Sequence, residues 1–289
     1  MKTKIGYNGE SKQRRFHKIK KHIEIIYRRL SFSSSRNRIV AINNPILNRV
    51  LESIMTVKDN NYKPEDIKVF EYVEDYRKKL LSDNTEVTYE IFNSSATRKI
   101  KDICRIAASP KLWGQFLYLI AKNNRSKSVL EIGTNVGISG LYTLSGMKHN
   151  HREFEFVTME GLGQLCDLSR NKFEELFDKE NFKIINGLYD DTFESVIGDG
   201  MQYDLLFIDG NHQKEPTIQY FYELKKCISD QAIFIFDDIY YNIGMKEAWD
   251  IIKEDESVNF SIDMYKLGIV IIDKSETKKN VPFGIHMTY

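Results

Sequence analysis

Five acidic side chains stand in or directly after short apolar runs in the second half of the chain, where they are well placed to do chemistry. Such runs predict buried strands of an α/β sheet, and the carboxyl ends of parallel strands share one edge of that sheet. Carboxylates at that edge can bind sugar hydroxyls, hold a hard cation or take up a proton. The five residues are Glu131, Glu160, Asp209, Asp237 and Asp238.

A glycine turn follows the first of these runs. Val129–Ile132 predicts a buried strand, and the turn Gly133-x-x-x-Gly137 leads at once into an amphipathic helix. Glycine permits backbone dihedrals that other residues resist, and it lets the chain approach a ligand closely. A nucleotide-like ligand is therefore expected beyond the carboxyl end of this strand.

The position of Glu160 indicates a ligand that contains a ribose. This residue ends the second predicted strand, 27 residues after Gly133, where a carboxylate can bind two ribose hydroxyls. This spacing fits either a nicotinamide dinucleotide or S-adenosylmethionine. The loop is E-x-G-x-x-x-G and not G-x-G-x-x-G, and Glu131 stands two residues before the first glycine. The sequence therefore favours S-adenosylmethionine over the alternative, a nicotinamide oxidoreductase.

With these motifs the chain resembles the class I S-adenosylmethionine-dependent methyltransferases over about residues 110–273. Within that class it is most similar to bacterial sugar and natural-product O-methyltransferases and to an uncharacterised bacterial branch. The resemblance implies an α/β fold with a doubly wound, seven-stranded, mostly parallel sheet of order 3-2-1-4-5-7-6 and a terminal hairpin. It rests on Glu131–Gly137, Glu160, Tyr203–His212 and Phe236–Asp238.

The resemblance also implies roles around the cofactor, S-adenosylmethionine. The glycine turn would surround the methionine part, and Glu131 would hold that loop or reach the cofactor amine through water. Glu160 would bind the ribose, and Gly187 would border the adenine unless it is only a turn residue. The expected cofactor-binding residues are Glu131, Gly133, Thr134, Asn135, Gly137, Glu160, Gly161, Gly187 and Asp209.

Asp209, Asp237 and Asp238 form a predicted metal site at the ends of the fourth and fifth strands. Three carboxylates at one point repel each other, and a hard cation would relieve that repulsion. Mg²⁺, or less selectively Ca²⁺ or Mn²⁺, suits such oxygen ligands and would lower the pKa of an acceptor hydroxyl. The similar sugar O-methyltransferases imply the same arrangement. In the alternative interpretation Asp238 caps the next helix and Asp237 orients the loop.

His212 is the candidate general base, because imidazole titrates near neutral pH. It stands three residues after Asp209, with which it forms the predicted catalytic pair. The alternative is a loop histidine that only bonds to backbone. We expect the methyl acceptor beside Lys214, Tyr240 and Tyr241, and Trp249 either there or in the core.

Strands and helices alternate from residue 128, which predicts a parallel sheet. Residues 1–110 predict a helical N-terminal extension or cap, and residues 111–289 a Rossmann-like methyltransferase domain. A short turn separates the last two strands, so we expect them to form an antiparallel hairpin. The predicted strands are 128–132, 154–159, 182–186, 203–209, 231–237, 258–264 and 268–273.

The charge is divided unevenly along the chain. Residues 1–38 hold twelve Lys/Arg and two Glu, whereas the rest holds 30 Lys/Arg and 39 Asp/Glu. The spacing of Phe16, Ile19, Ile23, Ile26, Tyr27 and Leu30 predicts a basic amphipathic helix that ends at a hinge, Ser31–Ser35. That helix would pack on its own domain or on a second subunit, or residues 13–38 would contact an anionic membrane.

Composition limits the remaining classes. No apolar run reaches the roughly 20 residues needed to span a bilayer, and no nucleic-acid reader motif is present. Three widely spaced cysteines predict buried reduced thiols and a cytoplasmic protein, at most peripheral to the inner membrane face.

The leading hypothesis is methyl transfer to a hydroxyl of a small molecule, a glycan or glycan precursor by family analogy. The alternatives are a metal-independent small-molecule N-methyltransferase and a catalytically silent protein of the same fold.

Overall fold

The computed structural model describes the backbone of residues 7–287 and the side chains of residues 22–287. It has a central sheet of eight strands and, beside it, a separate two-stranded hairpin. The hairpin strands are β1 (Glu86–Thr88) and β2 (Thr97–Lys99). The sheet strands are β3 (Ser128–Ile132), β4 (Glu155–Glu160), β5 (Phe182–Asn186), β6 (Tyr203–Ile208), β7 (Ile228–Phe236), β8 (Phe260–Asp263), β9 (Gly268–Asp273) and β10 (Val281–Gly284).

Helices cover both faces of the sheet. Four lie well before the first sheet strand in sequence: α1 (Tyr7–Ile42), α2 (Pro45–Lys58), α3 (Pro64–Leu80) and α4 (Ile100–Ala107). The others alternate with the strands or lead into them: α5 (Lys111–Asn124), α6 (Ile138–Asn150), α7 (Gly163–Glu174), α8 (Tyr189–Ile197), α9 (Lys214–Leu224) and α10 (Ile243–Lys253).

Each face of the sheet has its own hydrophobic cluster, because successive side chains of a strand point to opposite faces. Val129 belongs to the cluster that also holds α2, α3, α5 and α6, and Leu130 belongs to the cluster with α8, α9 and α10. Helices α2 and α3 thus share a core with the sheet through α5 and α6.

The predicted fold class and strand order are confirmed, with one strand added. Counted from β3 as the first strand, the order is 3-2-1-4-5-7-6-8. The seventh strand, β9, is antiparallel to both of its neighbours, as expected for the terminal hairpin. The additional strand β10 pairs parallel with β8 at the edge of the sheet. Its sequence contains Pro282 and Gly284, which weaken a strand signal and are tolerated at an edge.

The predicted hinge at Ser31–Ser35 is wrong, because these residues continue the single helix α1. One side of the helix packs inward through Ile25, Arg28, Ser35 and Ile39. The residues of the predicted apolar face that the structure describes point outward, with exposed fractions between 53% and 80%: Ile23, Ile26, Tyr27 and Leu30. Phe16 and Ile19 lie outside the described side chains.

Helix α3 reaches the glycine turn of the sheet. The buried Tyr76 hydroxyl donates a hydrogen bond to the Val136 carbonyl oxygen at 3.1 Å. The β1–β2 hairpin lies within the segment that was predicted as a helical extension. It is held by Gln164 of α7, whose Oε1 accepts from the Thr88 N–H at 2.8 Å. Within the described residues, no helix is both long enough and apolar enough to cross a bilayer.

Candidate functional site

The glycine turn after β3 is bonded to the next strand and pressed against a third. The N–H groups of Gly133 and Thr134 both donate to the Met159 carbonyl oxygen at 3.1 Å. Gly133 has φ +107°, and a Cβ there would lie 2.3 Å from the Asp209 carbonyl oxygen. Only glycine satisfies both the dihedral angle and this close approach. The turn is therefore fixed at the carboxyl ends of β3, β4 and β6.

Glu131 supports this turn from below. Its Oε2 accepts from the Thr158 hydroxyl at 2.8 Å, and that hydroxyl lies 2.6 Å from the hydroxyl of Thr134. Burial of the carboxyl group raises the pKa of Glu131 to about 7. Its buried Oε1 makes no hydrogen bond among the described residues. These two contacts connect Glu131 to the glycine turn through the hydroxyl groups of Thr158 and Thr134.

Glu160 joins the ends of two loops. Its Oε2 accepts from the Asn135 N–H at 2.9 Å, and its Oε1 accepts from the Leu162 N–H at 2.9 Å. Burial raises the pKa of Glu160, and the backbone donors oppose that shift. Each carboxylate oxygen has a second lone pair for a ligand hydroxyl.

A cavity of about 490 Å³ opens beside Glu160. Three expected cofactor residues line it, namely Glu160, Gly161 and Gly187. Asn211, from the segment Tyr203–His212, also lines it. Residues that the sequence analysis did not single out complete the wall: Phe92, Leu188, Tyr189, Asp190 and Tyr220. Phe92 comes from the chain between β1 and β2, and a Cβ on Gly161 would lie 3.1 Å from its Cζ. Nothing in the local sequence around Phe92 indicates this contact, which depends on how the hairpin packs.

The predicted catalytic pair lies next to this cavity, at the end of β6. The His212 Nε2 is 3.6 Å from Oδ1 of Asp209. Burial and the nearby Asp237 carboxylate raise the pKa of Asp209 well above its ordinary value. Asn211 and His212 both have positive φ, at 68° and 36°. Such strained backbone is often kept where function requires it.

Two of the expected metal ligands, Asp237 and Asp238, form ion pairs with a lysine. The Nζ of Lys266 lies 2.9 Å from Oδ1 of Asp237 and 2.8 Å from Oδ1 of Asp238. In the described part of the chain no group of three or more His, Cys, Asp or Glu side chains is arranged to hold a metal ion. The predicted divalent cation at Asp209, Asp237 and Asp238 does not fit this arrangement, because an ammonium group already occupies the position between two of the carboxylates.

The residues expected beside the methyl acceptor differ in exposure and in their contacts. Tyr241 is 65% exposed and its ring lies 5.6 Å from that of His212, so it borders the site. Tyr240 stacks on Tyr265 with ring centroids 4.6 Å apart. Trp249 is only 1% exposed and is a core residue. Lys214 lies next to the site but pairs with Glu247 at 2.6 Å.

The comparisons with known proteins agree with this geometry. Residues 130–239 match the family model of a methyltransferase domain, which takes in the glycine turn, Glu160 and the carboxylates after β6 and β7. The chain has the class I methyltransferase fold. A probable O-methyltransferase of Mycobacterium tuberculosis is 28% identical over 131 residues, which are 45% of this chain and 56% of the relative.

Two solved structures resemble the methyltransferase fold of this chain. The O-methyltransferase from Bacillus cereus in complex with SAH has a TM-score of 0.50 and 20% identity over 58% of this chain and 84% of its own. The second is the O-methyltransferase TomG from Streptomyces achromogenes, involved in tomaymycin synthesis and bound to SAM. It has a TM-score of 0.51 and 18% identity over 58% of this chain and 82% of its own. The chain spans about half the length of the curated relatives it matches.

Proposed function

We propose that this protein transfers a methyl group from S-adenosylmethionine to a hydroxyl oxygen of a small molecule. One observation carries the proposal: the cavity lined by Glu160, Gly161 and Gly187 lies beside the Asp209–His212 pair. A cofactor bound in this cavity would therefore lie near the candidate proton acceptor. The O-methyltransferase names of the relatives support the same class.

The residues at the cavity fit the cofactor. S-adenosylmethionine supplies an electrophilic methyl group on a sulfonium sulfur. Glu160 would accept hydrogen bonds from the ribose hydroxyls with the lone pairs that Asn135 and Leu162 leave free. Glu131, which is buried and bonded to Thr158, would hold the glycine turn around the methionine part. The wall opposite Glu160, with Gly187 and Tyr189, would border the adenine.

Deprotonation of the acceptor falls to His212 in this proposal. Its ring is partly exposed, as a base that meets an incoming hydroxyl must be, and its Nε2 lies 3.6 Å from Oδ1 of Asp209. Holding the hydroxyl in line with the methyl group supplies much of the remaining rate enhancement. The exposed Tyr241 ring suits the face of a sugar, which keeps a glycan among the acceptors to test.

Metal-independent N-methylation is the second candidate, because Lys266 pairs with Asp237 and Asp238 where the metal was expected. A panel of hydroxyl and amine acceptors separates the two reactions. Methyl transfer to amines alone would replace the hydroxyl proposal.

The decisive experiment is isothermal titration with S-adenosylmethionine, with NAD as the control ligand. We expect micromolar binding of S-adenosylmethionine and none of NAD. Glu160→Gln should weaken binding about 10- to 100-fold, because hydrogen bonds to a charged group are worth about 1.5–3 kcal/mol. Glu180→Gln, an exposed acid on the surface, is the matched control. If wild-type protein binds no S-adenosylmethionine, the proposed function is wrong.

For α1 we propose contact with an anionic membrane surface. The outward stripe of Ile23, Ile26, Tyr27 and Leu30 beside basic residues supports this contact. The full-length protein should sediment with vesicles containing phosphatidylglycerol and not with pure phosphatidylcholine. Combined Ile23→Asp and Ile26→Asp should abolish sedimentation, and Ile106→Asp, at another exposed apolar site, should not. Dimerisation without vesicle binding would assign the stripe to a second copy instead.

A further inference from the structure

Backbone hydrogen bonds fix the turn between β8 and β9, which carries Lys266. The Met264 N–H donates to the Leu267 carbonyl oxygen at 2.9 Å, and the Ile239 N–H donates to the Lys266 carbonyl oxygen at 3.2 Å. The preceding residue, Tyr265, has φ +71°, and its ring stacks on Tyr240. The backbone of this turn is thus bonded to the loop after β7, which carries Asp237 and Asp238.

The Lys266 ammonium contacts both carboxylates of that loop. It donates to Oδ2 of Asp237 at 3.1 Å and to Oδ1 of Asp238 at 2.8 Å. It also lies 2.9 Å from Oδ1 of Asp237, without the alignment of a hydrogen bond. The lysine side chain is 26% exposed and that of Asp237 is 11% exposed, so the pair is only partly screened by water.

We propose that Lys266 is the resident cation of this site and takes the place of a divalent metal. A metal bound by Asp237 and Asp238 would lie about 2.0–2.6 Å from their oxygens. The ammonium is in contact with those same oxygens, so the metal would meet a like charge at close range. The intact chain therefore keeps divalent cations out, and removal of the ammonium opens the carboxylates to them.

The ammonium also has a use in the reaction, a step that rests on the proposed function. Lysine has three N–H donors, and its hydrogen bonds to Asp237 and Asp238 use two of them. The third can donate to the acceptor oxygen and stabilise the charge that forms as His212 removes the proton. A fixed positive charge beside the acceptor favours a hydroxyl substrate over a protonated amine.

Metal binding by the protein without cofactor tests whether Lys266 takes the place of a divalent metal. Melting temperatures are measured with and without Mn²⁺ or Mg²⁺, and affinities by titration calorimetry. Wild-type protein should show no metal-dependent shift, and Lys266→Ala should show a rise of about 2–4 °C. Lys266→Arg keeps the charge and should behave as wild type, as should Lys274→Ala, which removes the surface lysine just beyond the other end of β9. Adding Asp238→Asn to Lys266→Ala should abolish the shift.

Two results would overturn the proposal. One is a wild-type protein whose metal-dependent shift disappears in Asp238→Asn. The other is a folded Lys266→Ala protein that gains no metal binding. If Lys266→Ala does not fold, Lys266→Met, which keeps most of the side-chain volume, takes its place in the comparison.

Measurements of methyl-transfer activity separate the proposed role of Lys266 from the proposed methyltransferase function. Wild-type methyl transfer should be unchanged by EDTA, whereas Lys266→Ala should lose about 100-fold of the rate and recover part of it with Mn²⁺. If EDTA abolishes wild-type transfer, the role of Lys266 is wrong and the methyltransferase function stands. If S-adenosylmethionine does not bind at all, the function is wrong, while a metal difference between wild type and Lys266→Ala still supports the cation assignment.

Discussion

Arg28 of α1 and Asp263 at the end of β8 form an ion pair with a distance of 2.8 Å between Nη2 and Oδ2. Arg28 is 4% exposed, and it also donates to the Tyr240 hydroxyl at 2.8 Å. Its guanidinium lies over the rings of Tyr240 and Tyr265. The N-terminal helix is therefore tied to the turn that carries Lys266.

Arg28→Ala should destabilise the protein by about 2–4 kcal/mol. Removing one partner of a buried ion pair leaves the other charge and its hydrogen bonds unsatisfied. Urea denaturation measures the loss, and Arg29→Ala, at the exposed neighbouring position, should stay within about 0.5 kcal/mol of wild type. Equal effects of the two substitutions would show that the Arg28 network contributes nothing beyond the surface helix.

Phe92→Ala should weaken S-adenosylmethionine binding about 10-fold with little change in stability. Phe92 is 51% exposed in the protein and packs over Gly161 at the cavity, so its ring would be buried chiefly by the ligand. An aromatic contact of this kind is worth about 0.5–1.5 kcal/mol. Calorimetric titration provides the measurement. Ile91→Ala removes a neighbouring exposed side chain and is the control; an identical loss in both variants would contradict a specific contact.

Glu131→Gln should reduce the dependence of stability on pH. Burial raises the folded-state pKa of Glu131 to about 7, above the ordinary value of 4.5. Between these two pH values the native state holds a proton that the unfolded state releases, so this group lowers stability as pH rises through the window. Glu131→Gln has no carboxyl group at this position and therefore loses this contribution to the pH dependence of stability.

The free energy of unfolding, measured in urea at pH 5, 6, 7 and 8, tests this prediction. The fall across the range should be smaller in Glu131→Gln than in wild type by about 2–3 kcal/mol. Glu155→Gln, at the exposed start of β4, should follow the wild-type curve. Parallel curves for Glu131→Gln and wild type would mean that Glu131 has no raised pKa in the folded state.

His212→Ala should lower the rate of methyl transfer about 10²- to 10⁴-fold, because a positioned general base contributes an effect of that size. Affinity for S-adenosylmethionine should remain within about twofold of wild type, since His212 is not among the residues that line the cavity. His22→Ala, on the exposed side of α1, serves as the control. A His212→Ala protein with full activity would transfer the role of base to another group.

The family resemblance implied the order of the first seven sheet strands, whereas the meeting of the acidic residues followed from short-range signals. Apolar runs, turns and intervening helices identify the strands, and parallel strands place their carboxyl ends at one edge. For this reason Glu131, Glu160, Asp209 and Asp237 could be placed at one rim from the sequence. The glycine turn has a dihedral requirement of its own, which Gly133 meets.

Tertiary packing decided the rest. Phe92 and Arg28 reach the site from segments far away in sequence, and no local pattern predicts where such segments dock. Lys266 stands 28 residues after Asp238, in a turn where a lysine normally faces solvent. The antiparallel return of β9 beside β7 sets that ammonium against the carboxylates. The sequence thus determined which acids would meet, and the fold decided which cation meets them.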